Sequence, residues 1–323
     1  MTDLTGKIVL GANQYGKAEN RVVRIYRDTP RHEIHDINVS SALRGDFSPA
    51  HLVGDQSNVL PTDTQKQTAY TYAKSKGLLH IESYGLDLAR HYVDDVDPVE
   101  AARIELEEYA WQRVVIDGAG HDHTWTRKGE EIRTSAVTVE GSGEDRKTSV
   151  ISGFKELIIL KSTGSEFSGF LEDELTVLEP THDRVMATSL TAQWRYTHTD
   201  IDWDAVYAGV KAAMIERFAN LQSLALQQTL YAMGAAVLEK YPYIAEIRMS
   251  RRTNTISSTT PVASASRIET RCSTPTTVRT VSSRQPSSAR TLLKRAAPGG
   301  PSRACERKYV PHYAFSRTCG GAV

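Results

Sequence analysis

A polar pair stands after a proline at residue 61 and before a helical pattern. Thr62 and Asp63 lie where a helix N-cap is expected, because their side-chain oxygens can accept the unpaired amide hydrogens of a first turn. A helix N-terminus can also bind an anion, since its free amides and its dipole favour negative charge. The spacing alone favours the cap and leaves the anion site as the alternative.

Two histidines form half of a possible metal motif. On an alternating strand His121 and His123 face one side, as two zinc ligands would. No third ligand is apparent, so polar or structural roles are favoured over metal binding. The sequence also lacks the G-x-G-x-x-G, P-loop, G-x-S-x-G and H-E-x-x-H patterns of common cofactor and hydrolase sites.

The charge of the chain is unevenly distributed. The 323 residues have no net charge, but residues 251–323 hold 13 of the 39 basic side chains and only two of the 39 acidic ones. An acidic body therefore precedes a basic tail. All three cysteines, Cys272, Cys305 and Cys319, are in this tail, which excludes a disulfide or a thiol nucleophile from the body.

The hydropathy pattern indicates a soluble protein. No apolar run reaches 18 residues, and the N-terminal residues lack the apolar stretch of a signal peptide. We therefore expect an intracellular protein, without a membrane partner.

The order of secondary structure repeats along the body. The first half reads as strands at 21–27 and 32–39, helices at 64–76 and 84–95, and strands at 103–109, 121–126 and 133–139. The second half reads as strands at 148–153, 156–161 and 184–194, helices at 202–220 and 223–240, and a strand from 244. Two ββααββ-like units in tandem predict an α+β fold with antiparallel sheets. After residue 250 neither a helical nor a strand periodicity of apolar residues persists, and the composition predicts a disordered basic tail.

An ordered set of short motifs resembles the urate oxidase (uricase) family. The motifs are QYGK at 14–17, TDTQK at 62–66, IDG at 116–118 with HDH at 121–123, LKSTGSEFSGF at 160–170, DR at 183–184 and SLALQQTLY at 223–231. The resemblance covers about residues 1–250. It implies tandem tunnelling-fold (T-fold) units, each a four-stranded antiparallel sheet with helices on one face, at 1–142 and 143–250. The second unit would be incomplete, and 251–323 would be an aberrant tail.

The resemblance implies that urate, a flat anion, is bound by side chains from both units. Phe167 would stack on the purine, and Arg184 would place two donors on one edge. Gln227 would pair with the opposite edge, and Leu226, where the family usually has Val, would use its backbone amide. The plainer alternatives are a core phenylalanine, an ion pair of Arg184 with Asp183, and an ordinary pair of helix residues.

The resemblance also implies the catalytic residues and the assembly. Lys17 and Thr62 would remove a proton from urate, so that the electron-rich anion reacts directly with O2 to give 5-hydroxyisourate and H2O2, with no metal and no cofactor. Asp63 would position the ligand through its backbone amide. As in the family, Lys17, Thr62 and Asp63 would come from one subunit, and Phe167, Arg184 and Gln227 would come from its neighbour. This arrangement implies a homotetramer with active sites at subunit interfaces.

The chain departs from the family after residue 250. The family continues with a Leu-Pro-Asn-Lys-His-like segment, whose Asn and His complete the oxygen site and proton relay, whereas this chain reads SRRTNTIS at 250–257. The gene can also be read in a shifted frame, in which the third base of each codon is joined to the first two bases of the next. In that frame the codons for residues 251–257 can encode Pro-Asn-Lys-His-(Asn or His)-Phe. Those for residues 275–281 can encode Asp-Asp-Arg-Pro-Tyr-Gly. We therefore interpret the last 73 residues as frameshifted, which predicts poor folding or low activity. An intact frame on resequencing codons 250–251 would contradict this interpretation.

The sequence leaves two alternatives to a urate oxidase open. One is another T-fold enzyme acting on a purine or pterin, which metal content and a substrate panel would distinguish. The other is a non-catalytic protein whose basic tail binds nucleic acid, which salt-dependent DNA binding would favour. The resemblance predicts no nucleic-acid partner. It predicts a cytoplasmic location in a bacterium, or a peroxisomal one in a eukaryote.

Overall fold

The structure, a computed structural model, describes residues 9–252 and 290–294. Within this part of the chain there are eight strands and five α-helices, with a short 3-10 turn at Gly143–Asp145. In chain order they are β1 (Tyr15–Tyr26), β2 (Glu33–Gly45), α1 (Ser48–Val53), α2 (Thr62–Ser75), α3 (Ile81–Asp95), β3 (Val99–Ile116), β4 (Ala119–Glu140), β5 (Lys147–Lys161), β6 (Met186–Tyr196), α4 (Trp203–Asn220), α5 (Leu226–Lys240), β7 (Ile244–Arg252) and β8 (Arg290–Lys294).

The eight strands form one antiparallel sheet in which every strand pairs with the next along the chain. The first ββααββ unit contributes β1–β4, and the second contributes β5–β8. Pairing of β4 with β5 joins the two four-stranded sheets into one. This architecture confirms the predicted α+β class with two units in tandem.

The helices bury the apolar side of the sheet in one continuous core. Ile37, Ile104 and Val137 of the first unit and Trp194 and Val210 of the second are fully buried members of this cluster. Strand residues reach it at alternate positions, since successive side chains of a strand point to opposite faces. The described helices include none that is long and apolar enough to cross a membrane.

A buried ionic cluster connects the two units. Arg133 of β4 donates to Glu82 of α3 at 2.9 Å and to Asp204 of α4 at 2.6 Å, and Ser152 of β5 donates to Glu82 at 2.6 Å. Glu82 is fully buried, and burial raises the pKa of its carboxyl against the opposing charge of Arg133. Each unit thus supplies groups that the other needs to satisfy its buried polar atoms.

The predicted helix cap at Thr62 and Asp63 is wrong. The N-cap of α2 is Pro61, which makes no side-chain capping bond, and Thr62 and Asp63 are the first two helical residues. Pro61 fixes an extended backbone immediately before the helix, so the helix starts one residue earlier than a capping side chain would need. The carboxylate of Asp63 still complements the helix dipole from the first turn.

Other predicted boundaries are corrected by long, irregular strands. The two predicted strands at 121–126 and 133–139 form the single strand β4, and those at 148–153 and 156–161 form β5. Glu156 has a φ of 63°, where the register of β5 shifts against β6 without ending the pairing. The short helix α1 was not predicted from the sequence.

The predicted tail contains one described strand. β8 pairs with β7 from Glu246 opposite Lys294 to Ser250 opposite Arg290. The second unit therefore has a fourth strand, contrary to the expectation that its last strands are missing and the tail lacks structure throughout. Five residues, RTLLK, suffice, because an open sheet edge pairs through backbone groups. The rest of that expectation lies outside the described residues.

Candidate active site

Lys17 reaches the helix-covered side of the sheet through a β-bulge. The register of β1 against β2 shifts between Lys17, opposite Ser41, and Asn20, opposite Val39. Three steps along β1 therefore match two along β2, and Glu19 in this bulge has a φ of 53°. The extra residue places Lys17 on the same side as the buried Asn20, so the half-buried lysine faces α2.

A chain of hydrogen bonds ties β1 and β2 to the first turn of α2. The backbone amide of Lys17 donates to the Ser41 hydroxyl at 3.4 Å, and that hydroxyl donates to Oε1 of Gln65 at 2.7 Å. Gln65 donates in turn to the Leu60 carbonyl at 3.3 Å. These bonds fix the start of α2, and with it Thr62, relative to Lys17.

The surroundings of Lys17 contain little free volume. The cavity beside it has about 10 Å³ and is lined by Asn20, Ser41, Gln65 and Tyr92. This is room for roughly one water molecule and not for a purine. Thr62 and Asp63 are exposed at the neighbouring surface, and the free amides of the first helical turn point outward there. Lys17, Thr62 and Asp63 are thus candidate site residues around the start of α2, and we call this set the α2 half-site.

Phe167 lies on the long loop between β5 and β6. Its amide donates to the Thr181 carbonyl at 2.8 Å, and the Thr181 amide donates back at 2.9 Å. Phe170 stacks on its ring with centroids 4.9 Å apart and planes inclined by 18°. Phe167 is half-buried and does not belong to the core cluster, so the core-phenylalanine alternative is not supported.

Arg184 extends over the ring of Phe167. The guanidinium carbon is 5.0 Å from the ring centroid, and the Arg184 amide donates to the Ser165 carbonyl at 2.9 Å. Nε of Arg184 is buried and has no hydrogen-bond partner among the described residues. The alternative ion pair with Asp183 is not formed, because that carboxylate accepts bonds from Thr163 and from the Gly164 amide.

The start of α5 is attached to the same loop. The Glu166 amide donates to the Ser223 carbonyl at 2.7 Å, and the Ser223 amide donates to the Gly164 carbonyl at 2.9 Å. These bonds hold Ser223 in a bridge to the loop, and the backbone of Ala225 is extended, so α5 begins at Leu226 and not at Ser223 as predicted. Leu226 is buried and Gln227 is exposed beside it. We call Phe167, Arg184, Leu226 and Gln227 the α5 half-site.

The two half-sites lie far apart within one chain. Lys17 is on β1 and Arg184 lies two residues before the start of β6, and these strands are separated by five spacings in the sheet order. At about 4.8 Å each, the separation along the sheet is roughly 24 Å. The structure therefore groups the predicted residues into two sets and does not bring the sets together.

The histidine pair does not extend into a metal cluster within the described residues. His121 and His123 share a face of β4, with ring centroids 4.5 Å apart, and His123 is 6.0 Å from the ring of His32. No group of three or more His, Cys, Asp or Glu side chains in this part of the chain could hold a metal ion.

Sequence reasoning missed four residues that support the half-sites. They are polar, three are buried and Ser41 is half-buried, and each joins segments distant in the chain: Ser41, Gln65, Ser165 and Ser223. Gln65, Ser165 and Ser223 belong to the motifs quoted for the resemblance, but no role was predicted for them. Nothing in the local pattern identified their partners.

Comparison with known proteins agrees with this architecture. Two ββααββ units sharing one antiparallel sheet, with polar clusters at the helix starts, define a tandem T-fold protein. A sequence model of the family described as Uricase matches residues 13–138 and 150–266. The chain belongs to the uricase family.

Individual relatives support the same assignment. The chain is 46% identical over 244 residues to a uricase of Arthrobacter globiformis, covering 76% of this chain and 78% of that protein. It is 34% identical over 241 residues to a uricase of Dictyostelium discoideum, with coverages of 74% and 83%. The crystal structure of the Arthrobacter globiformis uricase superposes with a TM-score of 0.77 at 40% identity, covering 92% of this chain and 98% of that one.

Proposed function

We propose that the chain is a urate oxidase that binds urate between the α2 half-site of one subunit and the α5 half-site of another. The main observation in support is the position of Arg184, whose guanidinium carbon lies over the face of Phe167, 5.0 Å from the ring centroid. This pair offers a flat ligand both an aromatic surface and a fork of charged donors, which suits a planar anionic purine. Gln227 lies at the exposed start of α5, and its side-chain amide supplies a hydrogen-bond donor and an acceptor for a second edge of the purine.

The α2 half-site supplies the proton chemistry in this proposal. Lys17 acts through the hydroxyl of Thr62 to remove a proton from bound urate, and the Asp63 amide holds the ligand. The resulting anion gives electrons to O2, a peroxide forms at the ring carbon, and water then displaces it. Urate, O2 and H2O become 5-hydroxyisourate and H2O2, so all atoms balance and no further electron acceptor is needed.

Subunit sharing is supported by the surface beside the α5 half-site. The loop that carries Phe167 also exposes Leu171, Leu175 and Val177, whose side chains are 95%, 85% and 94% accessible. Clustered exposed apolar side chains are typical of protein–protein contact surfaces. Because neither half-site alone encloses a purine, we propose a second copy as the partner, within a homotetramer.

The altered C-terminus lowers activity in this proposal. The Leu-Pro-Asn-Lys-His-like segment of the family is absent from 250–257, where there is no His and Asn254 does not stand in the motif. Loss of a proton-relay partner reduces a rate by roughly 100-fold or more. A gene corrected by one base near codon 250 should therefore yield a faster enzyme than the chain as written.

Loss of urate absorbance together with release of H2O2 tests the proposal. In the frame-corrected protein, Arg184→Gln should lower kcat/KM for urate by roughly 100-fold, because a charge-assisted bidentate contact is lost. Arg195→Gln is the matched control, since Arg195 is on β6, the strand that follows Arg184, but pairs with Glu246 at 3.4 Å. Equal kcat/KM values for the two variants would contradict the assignment of Arg184. A metal requirement or turnover of pterins alone would favour another T-fold enzyme.

A further inference from the structure

A buried amide and the Lys17 side chain line the same small cavity. Asn20 is 8% exposed, and it follows Lys17 on the helix-covered side of β1, across the bulge. Their partners on β2, Ser41 and Val39, are two positions apart, so Lys17 and Asn20 are immediate neighbours on that side, with about 7 Å between their Cα atoms. The cavity of about 10 Å³ lies against both side chains.

The side-chain amide of Asn20 requires a hydrogen-bond acceptor. Its Nδ2 atom is buried, and no described residue accepts a hydrogen bond from it. A buried amide nitrogen without a partner is costly, so such groups are nearly always bonded to protein or to ordered water. The cavity beside Asn20 is large enough for roughly one water molecule, which is the acceptor that this position can hold.

The other polar groups around the cavity can complete the bonds of that water. The Ser41 hydroxyl donates to Oε1 of Gln65 at 2.7 Å, and this oxygen has a second lone pair. The Tyr92 hydroxyl donates to the Gln65 carbonyl at 3.1 Å. Burial raises the pKa of Tyr92 to about 12, so the hydroxyl stays neutral and its oxygen can accept. None of the described lining residues is acidic, and the titratable ones besides Tyr92 are Lys17 and Lys66.

We propose that Asn20 is a positioning residue for Lys17 and that it acts through one water molecule bound in this cavity. The Asn20 amide donates to the water oxygen, which leaves both water hydrogens to be donated. One goes to Gln65 or Tyr92, and the other goes to the Lys17 amine when that amine is neutral. When the amine carries a proton, it donates to the remaining lone pair of the water. The inference rests on the proposed function, which takes Lys17 as the base.

The water holds the amine from its inner side in both protonation states. A lysine side chain has four rotatable bonds, and a fixed hydrogen bond at its end removes part of that freedom. The outward side of the amine remains available to Thr62. Alignment of the base governs proton transfer, whereas urate is bound by other groups. Loss of the Asn20 amide should therefore lower kcat and leave the KM for urate nearly unchanged.

A crystal structure of the full chain tests for the water directly, whatever the activity of that chain. We expect one ordered water within about 3.2 Å of Nδ2 of Asn20. Asn20→Leu keeps nearly the shape of the side chain but cannot donate a hydrogen bond, so the water should be lost from this variant. A dry cavity in the parent chain would overturn the inference.

Steady-state kinetics of the frame-corrected enzyme test the positioning role. Asn20→Leu should lower kcat about tenfold, close to the worth of one hydrogen bond, and change KM less than about twofold. Asn20→Ser keeps a donor and leaves room for the water, so its kcat should be within about threefold of the parental value.

Ser135→Ala is the matched control. The Ser135 hydroxyl is also buried without a described partner, but it is on β4 and does not line this cavity. Its removal should therefore leave kcat at the parental value. A loss as large as that of Asn20→Leu would show that kcat responds to any change in the core, and the inference would fall.

The outcomes separate this inference from the proposed function. If Lys17→Ala abolishes urate turnover and Asn20→Leu keeps the parental kcat, Asn20 does not position the lysine and the proposed function stands. Equal losses in Asn20→Leu and Asn20→Ser would show a packing effect and overturn the inference. If Lys17→Ala turns over urate as fast as its parent, or the parent does not turn it over, both proposals are overturned.

Discussion

At the scale of single residues, the glycine before Lys17 sets how closely β1 approaches β2. A Cβ on Gly16 would lie 1.8 Å from the Ser41 carbonyl oxygen and 2.6 Å from its carbonyl carbon. Both atoms belong to the backbone and cannot rotate away. Any side chain at Gly16 therefore pushes apart the two strands that position Lys17 and Ser41.

We accordingly expect Gly16→Ala to impair catalysis more than substrate binding. Overpacking at this contact should cost about 1–3 kcal/mol of unfolding free energy. Displacement of Lys17 by about 1 Å should lower kcat roughly 100-fold, since proton transfer depends on alignment. Urea unfolding and steady-state kinetics of the frame-corrected enzyme measure the two effects.

Gly11→Ala is the matched control for this substitution. A Cβ on Gly11 would meet no atom within 4 Å, so stability should change by less than about 0.5 kcal/mol. Wild-type kcat in Gly16→Ala would show that the spacing of β1 and β2 does not position the lysine.

The candidate site residues could be named from the sequence only where residue type and motif order carried the information. Lys17, Thr62, Arg184 and Gln227 could be named because their motifs follow one another as in the urate oxidase family. The pairing of Ser165 with Ser223 could not, since 58 positions separate them and the contact depends on how the loop folds. The polar pair at the start of α2 was found, but its role as a cap was wrong because Pro61 occupies that position.

At the scale of elements, the cluster around Arg133 holds α3, β4 and α4 together. Arg133 is 13% exposed and bonds the fully buried Glu82 as well as the surface carboxylate of Asp204. It also lies 4.6 Å from the ring centroid of Tyr207. Removal of this one side chain leaves a buried carboxylate unpaired between two packed units.

We expect Arg133→Met to destabilise the protein by about 3–5 kcal/mol, because an uncompensated buried charge is left behind. The double substitution Arg133→Met with Glu82→Met should recover much of this loss. Urea unfolding of both variants measures the difference.

Arg44→Met provides the comparison on the surface. Arg44 and Glu140 form an exposed pair at 3.4 Å, and its loss should cost less than about 1 kcal/mol. A similar small effect for Arg133→Met would mean that the packed helices alone hold the units together.

The elements themselves were largely predictable, and their irregularities were not. Apolar periodicity marked α2, α3, α4 and α5 and the alternating strands, because one face of each is buried. β4 and β5 were each divided in the prediction, since polar stretches and a bulge interrupt the alternation without interrupting the backbone pairing.

At the scale of the whole molecule, the two half-sites of one chain lie far apart, so the proposed function requires paired subunits. The predicted T-fold arrangement of the tandem units was correct, but a sequence does not show which sets of residues meet. β1 and β6 are five strand spacings apart. A single chain can therefore offer Lys17 or Arg184 to one ligand, and not both.

Subunit complementation should reveal this sharing. In the frame-corrected protein, Lys17→Ala and Arg184→Ala are each expected to be inactive. Oligomers refolded from an equal mixture should regain roughly a quarter of parental activity, since random pairing gives one site in four an intact lysine and an intact arginine. Urate turnover of the separated oligomer measures the recovery.

The control uses two substitutions in the same half-site. A mixture of Arg184→Ala and Gln227→Ala should regain no activity, because every site receives one damaged α5 half-site. Recovery there, or its absence in the first mixture, would contradict sharing between subunits.

The bulge in β1 also has a consequence for how this chain tolerates insertions and deletions. Tyr15 and Lys17, at odd positions, face the helices, and so do Asn20 and Val22, at even positions. The one extra residue of the bulge between Lys17 and Asn20 allows both pairs to face the same side. Loss of one residue between Asn20 and Val22, where the pairing is regular, would reverse the parity of the preceding positions and turn the lysine to the opposite face while every motif residue persisted in the sequence. An alignment that scores residue identity alone would accept such a protein as intact, so spacing within this strand is as diagnostic of a working enzyme as the lysine itself.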